Sequence, residues 1–261
     1  MPLDYLTWEL KIPSLRRFQS IDSTNEEGLR WLNEGAVEYS TIIANAQTAG
    51  RGRYGREWVT TPQASLAFSM IIYPTPAEVN FLPLFSPLGA LAVCLALQDL
   101  SNLKPEIKWP NDVLVQQHKI AGVLAETHWM ETYLKGLVIG MGINIAKESV
   151  PPAHQMLFPV ASIEDFCHTK IKRLQLLKKT IQHFIAQRVT ITSGALINNW
   201  QQRLAFIGKP VQIKDGETIL FQGVLQGLDE NGWLVLENNE ERRSIPLGDL
   251  HLRPLDANQK K

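Results

Sequence analysis

The chain has 261 residues, 26 basic and 26 acidic side chains, zero formal charge, 44% hydrophobic and 20% charged residues. That length holds one large core plus a smaller module. The composition excludes a disordered or low-complexity protein, and the charge balance removes the global argument for nucleic acid as a partner.

No uninterrupted apolar run reaches membrane-spanning length, and Asp4 and Glu9 stand where a signal peptide is basic then apolar. Cys94 and Cys167 form no Cys-x-x-Cys pair and read as reduced thiols, and the six histidines show no metal-ligand spacing. A cytoplasmic protein with no membrane partner and no structural zinc is expected.

Arg17 to Ile21 alternates as a strand and leads to Ser23-Thr24-Asn25-Glu26, where Ser23 and Glu26 have capping-box spacing before a helix that stops at Gly35. Capped helix starts also present free N–H groups to ligands. Thr41 to Ala46 is a buried strand and Ser65 to Tyr73 another, ending at Pro74.

Between these strands runs Gln47-Thr48-Ala49-Gly50-Arg51-Gly52-Arg53-Tyr54-Gly55-Arg56-Glu57-Trp58. Three glycines make this loop permissive and three arginines make it repel itself until an anion arrives. The planar guanidinium fork suits phosphate and carboxylate oxygens, so a phosphorylated or carboxylated small molecule is the implied ligand. Gly50, Gly52 and Gly55 also spell a dinucleotide fingerprint, but Trp58 to Pro62 does not open the helix which that motif requires. A solvated hairpin whose arginines keep an edge soluble is the plain alternative.

Leu84 to Leu100 has helical apolar spacing. In Ile107 to Val115 the sequence Trp109-Pro110-Asn111-Asp112 predicts one strand interrupted by a kink that pushes polar side chains to one side. A hairpin around Gln116 to His118 follows, with Lys119 at the mouth of its second strand. Simple alternation puts Lys119, Ala121 and Val123 on one face and Gly122 on the other, so both Lys119 and Gly122 reach one ligand only through a bulge or a backbone contact.

Leu134 to Ile139 continues into Gly140-Met141-Gly142, where two strand glycines signal either close approach or a bulge. Lys172 to Val189 and Ala195 to Phe206 read as amphipathic core helices. After Gly208-Lys209-Pro210 the pattern changes to short strands at Val211 to Lys214, Ile219 to Leu228, Trp233 to Glu237, Arg242 to Ile245 and Leu250 to Leu252. Hairpin turns at Asp215-Gly216 and Asn231-Gly232 complete a small five-stranded barrel.

With Gly-Arg-Gly-Arg-x-Gly-Arg, Lys-Trp-Pro-Asn-Asp, Lys-Ile-Ala-Gly-Val-Leu and Gly-Met-Gly-Ile-Asn in that order, the chain closely resembles biotin protein ligases. The resemblance implies an α+β (mixed α/β) fold: a catalytic domain like that of class II aminoacyl-tRNA synthetases over residues 1–206 and an SH3-like barrel over 207–261. It implies that biotin and ATP form biotinyl-5'-AMP, and that a lysine of a biotin carboxyl carrier domain, in acetyl-CoA carboxylase or another biotin-dependent enzyme, then takes the biotin. About twenty residues precede the first strand, too few for the winged helix of repressor members, so no DNA partner is expected. The protein itself is expected to be a monomer or homodimer. Tyr54 stands where some relatives have a further arginine.

By the same resemblance Lys119, Arg51, Arg53 and Asp112 are the catalytic candidates, with Lys119 bridging the biotin carboxylate and the α-phosphate. Ser23, Thr24 and Gln47 offer polar groups to the ureido ring; Gly50, Gly122, Gly140 and Gly142 permit close approach and Leu124 supplies apolar wall, with Asn25, Arg51, Arg53 and Lys119 completing the biotin site. Arg53, Arg56, Trp58, Lys108, Asn111, Asp112, Lys119 and Asn144 are implied at the ATP or adenylate, Trp58 as a cover over it unless it is a core tryptophan. Mg²⁺ is expected because it bridges phosphate oxygens and needs few protein ligands, and no dedicated metal-ligating residues are assigned. The loop is expected to be mobile without ligand and to close on the adenylate. A lipoate-type acyl-adenylating ligase is the nearest alternative; a non-catalytic biotin- or nucleic-acid-binding module is a more distant one.

Overall fold

The computed structural model describes residues 12–152, 158–248 and 250–255. Its larger sheet contains strands β1 (Leu15–Phe18), β2 (Thr41–Ala44), β3 (Ser65–Ile72), β4 (Glu106–Lys108), β5 (Asp112–Val115), β6 (His118–Met130) and β7 (Tyr133–Asn144), in the order β1-β2-β3-β7-β6-β5-β4. Only β1 and β2 pair in parallel, joined across helix α1 (Thr24–Asn33); the other neighbours are antiparallel. The fold is mixed α/β, as the sequence leads one to expect.

Three local expectations change. Ile107 to Val115 is not one kinked strand: β4 and β5 pair antiparallel, Lys108 opposite Asp112, so Trp109-Pro110-Asn111 is the turn of a tight hairpin. The capping box does not form, because Ser23 Oγ accepts from the Asn25 amide, the Ser23 amide donates to Asp22, and Glu26 is drawn off to Arg51. The last amphipathic helix is short, Ala195–Gln201, ending before Phe206.

The segment Val79–Leu100 is helical throughout and long and apolar enough to cross a membrane by length and composition. It escapes the apolar-run test because polar residues interrupt it. Its α-helical part, α2 (Phe85–Leu100), is apolar nearly all round because it is the core: Leu88, Leu91, Val93, Cys94 and Leu97 are fully buried between the sheet and helices α3 (Arg173–Arg188) and α4 (Ala195–Gln201).

On the opposite face α1 covers half the sheet through Leu32, packed with Ile42, Ile71 and Val138. Strand alternation carries that face along β3 from Ile71 to Ser69 and Ala67, and along β7 from Val138 to Gly140 and Gly142. Ser69 pairs with Gly140, Ala67 with Gly142, and Gly142 with Gly122 on β6. The apolar face therefore gives way to a shallow floor of small residues, and the functional cavity lies there.

The second sheet contains β8 (Pro210–Asp215), β9 (Thr218–Leu228), β10 (Leu234–Glu237), β11 (Arg242–Ile245) and β12 (His251–Pro254) in the order β11-β10-β9-β8-β12. Gly216 and Gly232 take positive φ at the predicted hairpin turns. Cys94 and Cys167 are free thiols.

Candidate active site

A cavity of about 420 Å³ opens over the small-residue floor. On its first side the start of α1 meets the end of β2 in a network of amides and hydroxyls. Gln47 Oε1 accepts from the Thr24 amide at 2.8 Å and the Thr24 hydroxyl at 3.1 Å, while Gln47 Nε2 donates to Thr60 at 3.0 Å. Ser69 Oγ lies 2.8 Å from Thr24 Oγ1 and 2.6 Å from Asn25 Oδ1, and Asn25 Nδ2 donates to Glu126 at 2.7 Å. Such a set of buried, mutually held donors and acceptors suits a small polar ring, not a charged one.

Across the floor stands a charged cluster. Asp112 accepts from Lys108 Nζ at 2.7 Å and from Lys119 Nζ at 2.6 Å. Burial pushes the Asp112 carboxyl up, but Lys108 and Lys119 overcome it and hold the group well below the usual carboxylate range. Burial lowers the Lys108 ammonium, against the opposing pull of Asp112. Lys119 reaches this position through a bulge, one of the two alternatives that alternation left open: the β5–β6 register shifts between Val113 and Leu114, so Ile120 is the extra residue. Lys119 and Gly122 then share a face, and a Cβ on Gly122 would lie 3.2 Å from Lys119 Nζ.

The arginine loop arches over both groups as a small hairpin, with Trp58 N donating to Gly50 O and Gly52 N to Arg56 O. It contains one short 3₁₀ turn, Arg53–Gly55, and no helix follows Trp58, which rules out dinucleotide geometry. Arg53 Nη1 donates to Asn111 Oδ1 at 3.1 Å, and Asn111 Nδ2 donates to the Val123 carbonyl at 2.5 Å. Arg51 is held by carboxylates, pairing with Glu26 and, at 2.7 Å, with Glu126.

The glycines serve the protein's own side chains. A Cβ on Gly140 would fall 2.0 Å from Asn25 Oδ1, and one on Gly142 would fall 2.2 Å from the Trp58 ring. No bulge lies at Gly140 or Gly142, where β7 stays in register with β3 and β6, so close approach is the reason for both. Gly50 lets the loop neck close against the Trp58 carbonyl and lines an outer groove rather than the cavity. Trp58 lies on the floor with Lys119 Nζ 5.5 Å from its ring, and its buried indole N–H has no partner among the described residues.

Apart from Gly50, every residue singled out from the sequence lines the cavity: Ser23, Thr24, Asn25, Gln47, Arg51, Arg53, Arg56, Trp58, Lys108, Asn111, Asp112, Lys119, Gly122, Leu124, Gly140, Gly142 and Asn144. Leu124 also accepts from Asn25 Nδ2 through its carbonyl, and Asn144 donates to the Ala161 carbonyl at 3.3 Å. Sequence reading missed Thr60, Ser69, Glu126, Phe158, His251 and Arg253. The small and polar stripe Ser65, Ala67, Ser69 within an otherwise apolar strand was the available signal for Ser69; nothing in the sequence pattern brings His251 and Arg253 of β12 to this wall.

Residues 17–144 match the biotin/lipoate A/B protein ligase family, and residues 206–253 match the biotin protein ligase C-terminal domain. A biotin–[acetyl-CoA-carboxylase] ligase of Paracoccus denitrificans is 31% identical over 238 residues, spanning 88% of this chain and 96% of that one. The chain belongs to the biotin protein ligase family. The ligase is also 30% identical to the bifunctional ligase/repressor BirA of Escherichia coli, over 89% of this chain and 72% of that protein. Its fold superposes on the biotin protein ligase of Aquifex aeolicus, solved in complex with biotin and ATP, with a TM-score of 0.76 and 27% identity, covering 94% of this chain and 100% of the other.

Proposed function

We propose that this cavity carries out both half-reactions of protein biotinylation. A biotin carboxylate oxygen attacks the α-phosphorus of ATP, the bond to the β-phosphate oxygen breaks, and pyrophosphate leaves. The ε-amine of an acceptor lysine then attacks the carbonyl of the resulting biotinyl-5'-AMP, forms an amide, and releases AMP and a proton.

Two anions must meet before the first step, so charge has to be neutralised beforehand and stabilised during attack. Lys119 exchanges Asp112 for the biotin carboxylate and α-phosphate, while Arg53 and Arg56 close over the phosphates. Lys108, Asn111 and Asn144 line the nucleotide end; Ser23, Thr24, Asn25 and Gln47 meet the ureido ring; Trp58 lifts from the glycine floor to cover the adenylate. Among the described residues no three His, Cys, Asp or Glu side chains cluster as metal ligands, and Asp112 is already shared by two lysines. Magnesium therefore fits as the counter-ion of the nucleotide phosphates, entering with ATP as part of the substrate.

The observation that carries this reading is the convergence of Lys119, Asp112 and the arginine loop on one cavity that also holds the neutral Thr24–Gln47–Ser69–Asn25 network. That network also favours biotin over lipoate, whose dithiolane offers nothing to an array of amide and hydroxyl partners. We further assign the catalytic part to residues 1–206 and the barrel to 207–261, and take the acceptor to be a biotin carboxyl carrier domain in the cytoplasm. Biotin-dependent exchange of labelled pyrophosphate into ATP tests the function, with lipoate as the control; exchange driven equally by lipoate would reverse the substrate assignment.

A further inference from the structure

The arginine loop does not arch over the cavity unaided. Arg53 Nη2 donates to the Gly248 carbonyl, and the Tyr54 hydroxyl, 2.5 Å from the same Nη2, donates to that carbonyl at 2.9 Å. Arg56 Nη2 donates to His251 Nε2 at 2.9 Å, and the Tyr54 ring meets the His251 imidazole edge-on with centroids 4.6 Å apart. Tyr54 adopts a φ of 63°, in the left-handed region that a tyrosine occupies only when its surroundings hold it there. A guanidinium can only donate, so His251 Nε2 presents its lone pair and the imidazole proton sits on Nδ1. Burial lowers His251 to about 4, and Arg56, Arg253, Lys108 and Arg53 reinforce the shift, while Asp112 is occupied by two lysines. The acceptor form is thus the stable one at neutral pH.

We propose that Tyr54 and His251 are positioning residues: with the Gly248 carbonyl they latch the arginine loop to the C-terminal barrel and so hold Arg53 and Arg56 over the adenylation cavity. Tyr54, which stands where some relatives have a further arginine, gains a role as the loop's anchor. The barrel becomes one wall of the site and sets how readily the loop opens. The consequence for adenylate retention rests on the ligase reading above; the latch itself does not.

Two measurements on the full chain separate these. The first is tryptic nicking after Arg51, Arg53 and Arg56 in ligand-free protein, for the wild type, His251→Ala, His251→Gln and Tyr54→Phe. His251→Ala is expected to be nicked about tenfold faster. His251→Gln, whose amide oxygen can replace the Nε2 acceptor, is expected to stay within about twofold of wild type. Tyr54→Phe, which keeps the ring and loses only the hydroxyl, is expected to be nicked about threefold faster, and it stands in if His251→Ala folds poorly. The second is the release rate of preformed biotinyl-adenylate, expected to follow the same order. Equal nicking of all variants, or equal acceleration in His251→Ala and His251→Gln, overturns the latch. Faster nicking with unchanged adenylate release overturns its service to the reaction. A wild type that makes no adenylate counts against the ligase reading and leaves the nicking result standing.

Discussion

At the scale of single residues the site depends on one carboxylate divided between two ammonium groups. Lys119 is brought to the floor by a bulge and paired with Asp112, and the proposed reaction puts its charge where negative charge builds during attack. Removing such a donor typically costs about 10²–10³ in rate, so Lys119→Met should slow pyrophosphate exchange by that factor while biotin affinity by calorimetry changes only a few-fold. A loss below tenfold would place Lys119 outside the reacting centre. Asp112→Asn has a different signature, because it strands Lys108, a buried ammonium, beside other cations. Breaking a buried pair costs about 3–5 kcal/mol, which in a chain of this size lowers Tm by on the order of 10 °C. The folded Asp112 carboxyl titrates below its ordinary value of 3.8. Its pairing therefore stabilises the fold fully above that value and loses effect as pH falls through it toward the folded value. Wild-type Tm should fall more steeply than that of Asp112→Asn on acidification below pH 4; parallel curves would contradict the assignment.

At the scale of elements, packing and chemistry are set by the same small-residue stripe. Gly140→Ala drives a methyl to within 2.0 Å of Asn25 Oδ1, and Asn25 cannot yield freely because Ser69 and Glu126 hold both ends of its amide. Overpacking of this kind costs about 1–3 kcal/mol, so the variant should melt lower and bind biotin at least tenfold more weakly; wild-type affinity would show that Asn25 is not a ligand contact. The loop is testable in the same way: Arg53→Gly loses its contacts to Asn111 and Gly248, and rapid dissociation should show biotinyl-adenylate leaving about tenfold faster. Unchanged retention would mean that the loop does not seal the cavity. Most of these elements were legible because β3 is a short, continuously buried run ending at a proline and burial repeats with period 3.6 in α3. Alternation also showed that Lys119 and Gly122 need either a bulge or a backbone contact to reach one ligand, and the strand register decides for the bulge. The β4–β5 hairpin was not legible, since Lys108 to Asp112 reads equally well as a kinked strand or a tight turn, and only pairing in space decides. Glu126, inside β6, and Thr60, in the loop before β3, were missed for a similar reason: a lone polar residue has no periodic signature, and their partners are more than ten residues away.

At the scale of the molecule the question is whether the barrel is a separate body or part of the fold. The boundary at Gly208-Lys209-Pro210 was visible as a change of pattern, yet periodicity describes each element alone and says nothing of which modules touch. The contacts favour a single unit. Val211, Ile213, Leu225 and Leu234 of the barrel belong to the same contiguous core as Leu84, Trp109 and Trp200. The buried Trp109 indole donates to the Gly232 carbonyl at 3.2 Å, a Cβ on Gly232 would lie 2.9 Å from the Trp200 ring, and Gln201 Oε1 accepts from the Leu228 amide at 2.6 Å. Ending the chain after Phe206 would expose Trp109, Trp200 and Leu84, each worth about 1.5–3 kcal/mol of burial, and would exchange the Trp109 hydrogen bond for one to water at a net cost of about 0.5–1.5 kcal/mol. The sum, roughly 5–10 kcal/mol, is comparable with the whole stability of an ordinary domain. The full chain should therefore unfold in one calorimetric transition, and the fragment 1–206 should lack the near-ultraviolet circular dichroism of packed tryptophans and show no biotin-dependent exchange. Two resolved transitions, or a folded and active fragment, would show that the barrel only rests against the catalytic part.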